Sequence, residues 1–269
     1  MSTEFSNLFS VQGKTALVTG GSRGLGEMMA AGLLANGANV YISSRKADVC
    51  DETAARLNDA FDAKCVSLPA DLSGMEGIES LVARISEHES KLDILVNNAG
   101  AAWGAPLDEF PESGWDKVMD VNVKGVFFLT QKLLPLLRAS AAQDDPARVI
   151  NIGSIDGLHV PLFDTFSYPV SKAALHHMTR VLAAKLAKEH ITVNAIAPGP
   201  FPTWMLSTGM GFGGETQGVD WSKIGDHVPM GRVGKPEDIA GLTLFLCSQA
   251  GAYVVGQTIA LDGGIVAAT

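Results

Sequence analysis

Short apolar runs rich in β-branched residues alternate along the chain with longer segments in which apolar residues recur at helical spacing. The short runs predict strands at residues 15–19, 39–43, 64–69, 92–97, 148–152, 192–196 and 258–261. The longer segments predict helices at about residues 24–36, 47–59, 74–87, 114–138, 166–189 and 236–247. Because strands and helices alternate in this way in β-α-β units, we expect a parallel sheet with helices on both faces.

The sequence gives no sign of a boundary between domains. No proline- or serine-rich linker, block of like charges or repeat of 20–50 residues divides it. With 269 residues, 46% of them hydrophobic, the chain has enough apolar material for one large core. We therefore predict a single domain over residues 1–269.

The segment 199–228 departs from the alternating pattern. It combines glycines with large apolar residues, namely Gly209, Gly211, Gly213, Gly214, Trp204, Met205, Met210, Phe212 and Trp221. Hinge residues beside apolar groups are typical of a mobile lid that shields a hydrophobic pocket from water. An ordinary long surface loop is the alternative.

Composition excludes several classes of partner. The net charge of −9 argues against nucleic acid, which needs a clustered basic surface, and against an anionic membrane surface. We expect neither a signal peptide nor a membrane span. An odd number of cysteines without metal-ligand spacing predicts free thiols and a cytoplasmic location, the cysteines being Cys50, Cys65 and Cys247. The histidines show no metal-type constellation either, and we predict no metal.

A glycine-rich turn follows the first predicted strand and leads directly into the first predicted helix. Its sequence is Thr19-Gly20-Gly21-Ser22-Arg23-Gly24-Leu25-Gly26. Gly20 would permit the tight turn, and Gly24 and Gly26 would let the backbone approach a pyrophosphate at the positive end of the helix. The spacing is not the Gly-x-Gly-x-x-Gly of the ordinary Rossmann motif. We nevertheless interpret the turn as dinucleotide-binding, with contributions from Ser22, Arg23 and Leu25.

The end of the second predicted strand indicates which dinucleotide would bind. An NAD enzyme usually has Asp or Glu there to bind the ribose 2′-hydroxyl, but this chain has Ser43-Ser44-Arg45. Arg45 and Arg23 could instead pair with a 2′-phosphate, and Ser44 could donate a further hydrogen bond. We therefore predict NADP(H) as the cofactor. A solvated Arg45 that merely opens a loop is the alternative.

Tyr168 and Lys172 lie four residues apart, with Ser154 fourteen positions upstream of the tyrosine. On a helix this spacing puts the two side chains on one face, so the ammonium would stand close to the phenol. A nearby cation lowers the pKa of a phenol, as a proton donor or acceptor at a carbonyl requires. Taken alone, the pair is also compatible with a surface tyrosine beside a solvated lysine.

Together these residues resemble the short-chain dehydrogenase/reductase family, in its single-domain branch of about 250 residues. The match spans nearly the whole chain and includes the Gly20/Gly24/Gly26 turn, Asp71, Asn97-Asn98-Ala99-Gly100, Asn122, Ser154, Tyr168, Lys172, Pro198-Gly199 with Thr203, and Leu261-Asp262-Gly263-Gly264. The resemblance implies an α/β, doubly wound Rossmann fold with a seven-stranded parallel sheet. It also implies assembly into homotetramers or dimers.

The resemblance implies catalytic roles for four residues. Tyr168 would be the acid/base at the carbonyl or alcohol oxygen, and Ser154 would hydrogen-bond the same oxygen. Lys172 would hold the nicotinamide ribose and lower the pKa of Tyr168. Asn122 would position a water that connects Lys172 to solvent.

The resemblance also implies further cofactor contacts. Asp71 and Leu72 would contact adenine, and Asn98, Ala99 and Gly100 would form a wall beside the adenosine ribose. Around the nicotinamide and pyrophosphate the implied wall consists of Pro198, Gly199, Phe201 and Thr203. Two alternatives stay open, because residues 98–100 could simply end a strand and Asp71 could simply cap a helix.

Within the family, the chain most resembles bacterial NADPH-dependent 3-oxoacyl reductases associated with rhamnolipid formation, through residues 92–100, 113–119, 133–138 and 146–154. A predicted apolar pocket wall suits a ketone with a hydrophobic body; its members are Trp103, Leu158, Val160, Phe163, Phe201, Trp204, Met205 and either Met210 or Phe212. We expect a small carbonyl or alcohol substrate. A sugar, steroid or other alcohol dehydrogenase is the first alternative, and a non-catalytic dinucleotide sensor is the second.

Two charged features bear on the substrate. Asp156 stands where family members often carry a small or apolar residue, and we expect it to face solvent. In the alternative it places an anion at the mouth of the site, which would disfavour acidic substrates and raise the pKa of Tyr168. An acidic acyl carrier protein would need a basic patch, for which Arg138 and Arg148 are candidates beside Asp144 and Asp145.

Overall fold

Seven parallel strands form one sheet in the computed structural model, which describes residues 5–61, 63–161, 163–209 and 219–268. The strands are β1 (Thr15–Thr19), β2 (Asn39–Ser43), β3 (Cys65–Ser67), β4 (Ile94–Asn97), β5 (Ala147–Ile152), β6 (Ile191–Pro198) and β7 (Thr258–Leu261). Their order across the sheet is β3-β2-β1-β4-β5-β6-β7. The chain thus winds outward in both directions from β1 and β4, and the predicted doubly wound fold is confirmed.

Helices cover both faces of this sheet. They are α1 (Gly24–Ala35), α2 (Ala47–Phe61), α3 (Met75–His88), α4 (Glu112–Met119), α5 (Val126–Ser140), α6 (Ser167–Leu186), α7 (Trp204–Gly209), α8 (Trp221–Asp226), α9 (Pro236–Cys247) and α10 (Ile265–Ala268). The apolar residues of α1, α2 and α9 pack on one face, and those of α3, α5 and α6 pack on the other.

Successive residues of β1 point to opposite faces, as the pleat of a strand requires. Ala16 and Val18 belong to the core beneath α1, whereas Leu17 belongs to the core beneath α5. All three side chains are fully buried. A strand covered on both faces has no polar positions to alternate with, which explains why β1 reads as a continuous apolar run.

The region predicted as one helix over 114–138 is different in the structure. It consists of α4, a π-helical turn at Asp120–Gly125, and α5. An apolar pattern reports which face of a helix is buried, but one extra residue in a turn leaves that pattern nearly unchanged. The region is helical throughout, as predicted, and what the sequence missed is the π-helical turn, in which Asn122 lies.

The segment 199–228 contains two short helices, α7 and α8, where the sequence predicted only a loop. The Asp220 side chain caps α8 by accepting a hydrogen bond from the Ser222 amide. Helices of six residues are too short for periodicity to reveal them. Met210, Gly211, Phe212, Gly213 and Gly214 lie outside the described residues.

The remaining boundaries agree closely with the sequence, although β3 and β4 are shorter than the predicted 64–69 and 92–97. Among the residues that the structure describes, no helix is long and apolar enough to cross a lipid bilayer. All three cysteines are free, as predicted, and all three are buried.

The fold brings the candidate residues to one edge of the sheet. The glycine turn follows β1, residues 98–100 follow β4, and Ser154 follows β5. The strands are parallel, so their carboxyl ends all meet at this edge, beside the point between β1 and β4 where the winding reverses. In open α/β sheets that crevice is where ligands bind.

Candidate active site

The glycines of the turn after β1 are required by close backbone approach. Gly20 and Gly24 both have positive φ angles, 64° and 57°, which other residues adopt only with strain. A Cβ on Gly26 would stand 2.2 Å from the Gly20 carbonyl oxygen. A side chain at any of these positions would push the turn apart, so this backbone conformation depends on the three predicted glycines.

Asn98 and Thr19 tie the end of β4 to the glycine turn. The Asn98 Nδ2 donates to the carbonyl oxygens of Thr19 and Gly20, at 2.9 and 3.1 Å. The Thr19 hydroxyl oxygen accepts hydrogen bonds from the amides of Asn98 and Ala99, at 2.9 and 3.0 Å. Asn98 therefore supports the turn and does more than end a strand, and its predicted ribose contact stays a prediction. Thr19 was missed because a threonine at a strand end carries no distinctive signal.

The N-terminus of α1 faces this turn without a side-chain cap. Arg23 occupies the capping position, and its side chain makes no capping hydrogen bond. The first amides of α1 and the positive end of the helix dipole therefore suit an anionic group. Ser22 is buried, and its carbonyl oxygen accepts a hydrogen bond of 2.9 Å from the Thr53 hydroxyl, which anchors the turn to α2.

Two arginines converge beside the turn. Burial lowers the pKa of Arg23 from its usual value, and the nearby positive charge of Arg45 lowers it further. Within the described residues neither guanidinium forms an ion pair. Two like charges held together without an acid fit a phosphate group. The Ser44 hydroxyl donates to the Lys46 carbonyl oxygen at 3.3 Å, so it would have to turn to reach such a group.

Trp204, the first residue of α7, joins the lid segment to this cationic site. The Arg23 guanidinium lies over its indole ring, 4.1 Å from the ring centre. Thr203, immediately before it, approaches the same turn, since a Cβ on Gly24 would stand 3.3 Å from the Thr203 Cγ2. The predicted contributors Gly24 and Thr203 are thus brought together.

Tyr168 and Lys172 both lie on α6 and are buried. The Lys172 Nζ is 5.5 Å from the centre of the Tyr168 ring. Ser154, after β5, is also buried, and its hydroxyl is close enough to the Tyr168 phenol to lower the pKa of that group. The alternative of a surface tyrosine beside a solvated lysine is therefore excluded.

The Asn122 side chain is fully engaged inside the π-helical turn. Its Nδ2 donates to the Ala101 carbonyl oxygen and to the Ser171 Oγ, both at 2.9 Å, and its Oδ1 accepts from the Ala101 amide at 2.8 Å. The Ser171 hydroxyl donates in turn to the Tyr168 carbonyl oxygen at 2.7 Å. Asn122 thus links the loop segment that follows β4 to α6. Sequence reasoning missed Ser171, whose position between Tyr168 and Lys172 was its only signal.

Gly100 is the residue that Asn122 and Lys172 share. A Cβ there would lie 3.4 Å from the Asn122 Oδ1 and 3.8 Å from the Lys172 Nζ. The Lys172 ammonium donates a hydrogen bond of 2.8 Å to the Ile152 carbonyl oxygen, which holds it beneath the end of β5. The four predicted catalytic residues therefore form one contiguous cluster.

The electrostatics of the cluster differ from the expectation. Burial raises the pKa of Tyr168 above its usual value, the Asp156 carboxylate raises it further, and the hydrogen bond with Ser154 lowers it. Burial lowers the pKa of Lys172 to about 8, with Asp156 opposing the shift. The expected lowering of the Tyr168 pKa by Lys172 was wrong, because desolvation disfavours the charged forms of both groups. At neutral pH the phenol keeps its proton.

Asp156 was expected to face solvent, but its side chain is largely buried. Only 14% of its side chain is exposed, and its Oδ1 lies 3.6 Å from the His159 Nε2. Burial raises the pKa of Asp156, while His159 and Lys172 lower it. The alternative interpretation is confirmed in one respect, since this carboxylate does raise the pKa of Tyr168.

The other predicted cofactor residues have varied surroundings. Asp71 is exposed, and its Oδ1 accepts a hydrogen bond of 3.0 Å from the Ser73 amide in the turn before α3. It does not cap that helix as the alternative proposed, because the capping position is Gly74. Leu72 is buried beside Asp71. Pro198 ends β6, and a Cβ on the following Gly199 would stand 2.8 Å from Asp262, so these two glycine-rich segments pack together.

Phe201 is a core residue. It is 3% exposed, belongs to the core beneath α1, and packs its ring on Gly234. Its predicted place on the pocket wall stays a prediction, because a buried aromatic residue in a loop can serve both the core and a cavity beside it. Four other predicted wall residues are exposed, namely Leu158, Val160, Phe163 and Trp204. Trp103 is half-buried with the Lys117 ammonium over its ring, and Met205 is half-buried on α7.

The two arginines suggested for carrier-protein docking do not form a patch near the site. Arg138 pairs with Glu189, at 2.5 Å from Nε to Oε2. Arg148 is fully buried, where its Nη2 donates to the Ser248 carbonyl oxygen at 3.0 Å. Arg148 lies near the start of β5, away from the carboxyl ends of the strands. The burial of Arg148 could not be predicted from the sequence, because nothing in the local sequence distinguishes a buried arginine from an exposed one.

Comparison with protein families agrees with this geometry. Residues 20–266 match a family model described as enoyl-(acyl carrier protein) reductase, which accounts for most of the chain. The chain belongs to the short-chain dehydrogenase/reductase family. The resemblance read from the sequence is therefore confirmed, and the chain is an oxidoreductase of that family.

Individual relatives within the family are similar over nearly their whole length. A rhamnolipids biosynthesis 3-oxoacyl-[acyl-carrier-protein] reductase of Pseudomonas aeruginosa is 49% identical over 256 residues, covering 95% of this chain and 97% of the relative. A 2-dehydro-3-deoxy-D-gluconate 5-dehydrogenase of Dickeya dadantii is 40% identical over 273 residues, covering 97% and 98%.

A solved structure of the family superimposes closely. The Pseudomonas aeruginosa RhlG/NADP active-site complex has a TM-score of 0.90 and 47% identity, covering 97% of this chain and 100% of that one. The predicted Rossmann-type architecture is thus confirmed by an independent fold comparison.

Proposed function

We propose that this short-chain dehydrogenase/reductase uses NADP(H) to reduce the carbonyl of a 3-oxoacyl compound or a similar hydrophobic ketone. The main support for this proposal is the buried cluster of Ser154, Tyr168 and Lys172, which lies at the same edge of the sheet as the glycine turn. The 49% identity to a 3-oxoacyl reductase over 95% of the chain supports the substrate class.

The cofactor proposal rests on charge. Arg23 and Arg45 would bind the 2′-phosphate of NADP(H), with Ser44 as a further donor. The first turn of α1, reached through Gly20, Gly24 and Gly26, would bind the pyrophosphate. We assign the remaining cofactor contacts as the family resemblance implies them, to Ser22, Leu25, Asp71, Leu72, Asn98, Ala99, Gly100, Pro198, Gly199 and Thr203. Phe201 has only an indirect role, in the core behind the residues that would surround the nicotinamide and pyrophosphate.

Bound NADPH would supply the hydride. Tyr168 then donates its proton to the carbonyl oxygen, and Ser154 donates a hydrogen bond to the same oxygen as negative charge develops there. Lys172 lies below the phenol and would hold the nicotinamide ribose. Asn122 fixes the backbone that carries both groups, and a water bound in its π-helical turn would return a proton toward Lys172.

The phenol is in the form that reduction requires. A raised Tyr168 pKa keeps the proton on the oxygen at neutral pH. A protonated phenol can donate to a carbonyl oxygen, which supports its proposed role as the proton donor.

The substrate proposal rests on the exposed apolar side chains that follow Ser154 and begin the lid segment. Leu158, Val160, Phe163 and Trp204 suit an acyl chain, which needs no hydrogen-bonding partner when it is buried. Residues 199–228 would act as the lid, with Arg23 under Trp204 as its contact with the cofactor turn. Sugar-acid oxidation is the second candidate, favoured by the 40% identity to a deoxygluconate dehydrogenase.

Location and assembly complete the proposal. Three buried free thiols fit a reducing compartment, and we propose the cytoplasm. Exposed apolar residues on α5 and α6, Phe127, Val170 and Val181, support a homotetramer or dimer. The acyl group would be carried on an acyl carrier protein or on coenzyme A. The structure offers no basic patch at Arg138 and Arg148 to favour the carrier protein.

The test follows the loss of NADPH absorbance during incubation with 3-oxoacyl thioesters, a neutral hydrophobic ketone and a 2-enoyl thioester, and the gain of NADPH absorbance during incubation of 2-dehydro-3-deoxygluconate with NADP⁺. We expect turnover of the 3-oxoacyl compounds and not of the enoyl thioester. Tyr168→Phe should lower kcat about 10²- to 10⁴-fold, because it lacks the proton to be donated, while NADPH still binds. If NADPH binds tightly and no carbonyl compound is reduced, the protein is a dinucleotide sensor and the proposal fails.

A further inference from the structure

The Ser154 turn holds a second acid close to the proposed reaction centre. Asp156 follows Ser154 in the 3₁₀ turn Ile155–Gly157, and its amide donates a hydrogen bond of 3.1 Å to the Ser154 Oγ. The position of this aspartate is thus tied directly to the hydroxyl that would contact the substrate carbonyl oxygen. The proposed chemistry gives this acid no role.

The turn is pressed against α6 at the catalytic residues. A Cβ on Gly157 would stand 2.8 Å from the Lys172 carbonyl carbon and 2.8 Å from the Ala173 amide nitrogen. Beneath the turn, His176 fills the space next to Gly153 and Gly157. A turn packed this tightly on a helix cannot swing its acid out into solvent without moving the catalytic cluster.

The Asp156 carboxylate is confined between two sets of groups. The His159 Nε2 lies 3.6 Å from the carboxylate. The Tyr168 phenol and the Lys172 ammonium are close enough for the Asp156 charge to shift the pKa of each. The 14% of the side chain that remains exposed is too little for solvent to screen it well.

We propose that Asp156 determines substrate specificity by excluding compounds that carry a carboxylate within one methylene of the reacting carbonyl, so that the site selects neutral substrates such as thioesters. This inference rests on the proposed function of the site. A carboxylate on either side of the carbonyl carbon would lie within a few bonds of the oxygen that Ser154 binds. Two anions at that separation repel each other strongly in a partly buried site.

The inference separates a 3-oxoacyl thioester from its free acid. The thioester has no charge near its ketone, whereas the free 3-oxo acid carries a carboxylate one methylene away from it. The Lys172 ammonium, held by the Ile152 carbonyl oxygen, is present in the native protein and in every Asp156 variant, so a comparison of these proteins isolates the charge of Asp156.

The experiment compares kcat/KM for a methyl 3-oxobutanoate ester with kcat/KM for 3-oxobutanoate, two substrates that share the ketone and differ in charge. Asp156→Asn keeps the shape of the side chain and removes the charge. We expect the ester-to-acid ratio to fall about 10-fold or more in this variant. Asp156→Ser, which is smaller and neutral, should produce the same fall, and Asp156→Glu should keep the ratio of the native protein.

The matched control is Asp164→Asn, the same chemical change at an exposed aspartate of the neighbouring loop. It should leave the ratio unaltered. Should Asp164→Asn lower the ratio as much as Asp156→Asn does, the effect is one of overall charge and the inference is wrong. An unchanged ratio in both neutral Asp156 variants would overturn it equally.

A binding measurement separates this inference from the proposed reaction. Calorimetric titration of the NADP⁺-loaded protein with 3-oxobutanoate and with its neutral amide requires no turnover. Preferential binding of the amide that disappears in Asp156→Asn supports the role of Asp156 even if no ketone is reduced. Equal binding of acid and amide by the native protein would contradict it even if ketone reduction is observed.

Discussion

The two halves of the site are built from different materials. Around β1, the cofactor turn depends on backbone that comes so close to itself that only glycine fits, as at Gly26. Around β5 and α6, the catalytic cluster depends on buried polar side chains, such as Tyr168 and Lys172, whose pKa values respond to one another and to Asp156. The first half should therefore fail through steric clash, and the second should fail through altered charge.

The largest effect on binding should come from Gly26→Ala. The added methyl group would stand 2.2 Å from the Gly20 carbonyl oxygen and 2.5 Å from the Asn98 Nδ2. We expect the Kd for NADPH to rise at least about 10-fold and the free energy of unfolding to fall by about 1–3 kcal/mol. Fluorescence titration and urea unfolding measure these changes.

Gly241→Ala is the control for that substitution. Gly241 lies on an exposed position of α9, and a Cβ there would meet no atom within 4 Å. This variant should bind NADPH normally and be slightly more stable, since alanine favours the helix. If Gly26→Ala behaves like Gly241→Ala, steric exclusion is not what shapes the cofactor half.

A change of charge in the cofactor half should alter preference more than stability. Ser44→Asp combined with Arg45→Ala replaces a phosphate-binding group with an acid that suits a ribose hydroxyl. We expect the ratio of kcat/KM for NADPH over NADH to fall about 10- to 100-fold, in line with the loss of charge-assisted hydrogen bonds. Retention of the full NADPH preference would show that the 2′-phosphate site is elsewhere.

The catalytic half should carry an acid-sensitive group. Burial lowers the pKa of His176 to about 4, and the nearby Lys172 charge acts in the same direction. The unfolded chain, with a histidine pKa near 6.5, binds more protons, so stability is complete above about pH 6.5 and is lost as pH falls toward 4.

Urea unfolding at a series of pH values measures that loss. The native protein should lose up to about 3 kcal/mol from this group between pH 6.5 and 4. His176→Gln should show a shallower dependence over the same range. His177→Gln, one residue along on an exposed position, provides the comparison and should follow the native curve. Parallel curves for all three proteins would remove His176 as the cause.

The smallest effect should come from Arg138→Ala. Arg138 forms a surface ion pair with Glu189 near the amino ends of the strands. Such pairs contribute little, because solvent screens them. We expect unchanged kcat/KM with free thioesters and with thioesters on an acyl carrier protein. A selective loss with the carrier-bound substrate would restore the docking patch that the structure does not support.

The sequence was sufficient where one residue type is the only physical solution. Gly20, Gly24 and Gly26 had to be glycines, and their position between a strand and a helix identified a dinucleotide turn. The strand bounds of β1 and β2 were also predicted correctly, because a strand buried on both faces leaves a continuous apolar run. The bounds of β7, a partly exposed edge strand, were predicted correctly as well. Tyr168 and Lys172 could be paired by helical spacing alone.

Only the tertiary structure decided the surroundings of single side chains. Asp156 and Arg148 resemble solvated charges in the sequence, yet one is confined beside Tyr168 and the other is fully buried. Phe201 has the sequence features of a pocket residue and is a core residue. The reason is physical: local pattern reports which face of an element is apolar, whereas burial, and the pKa that follows from it, depends on segments far apart in the chain that fold together around each group.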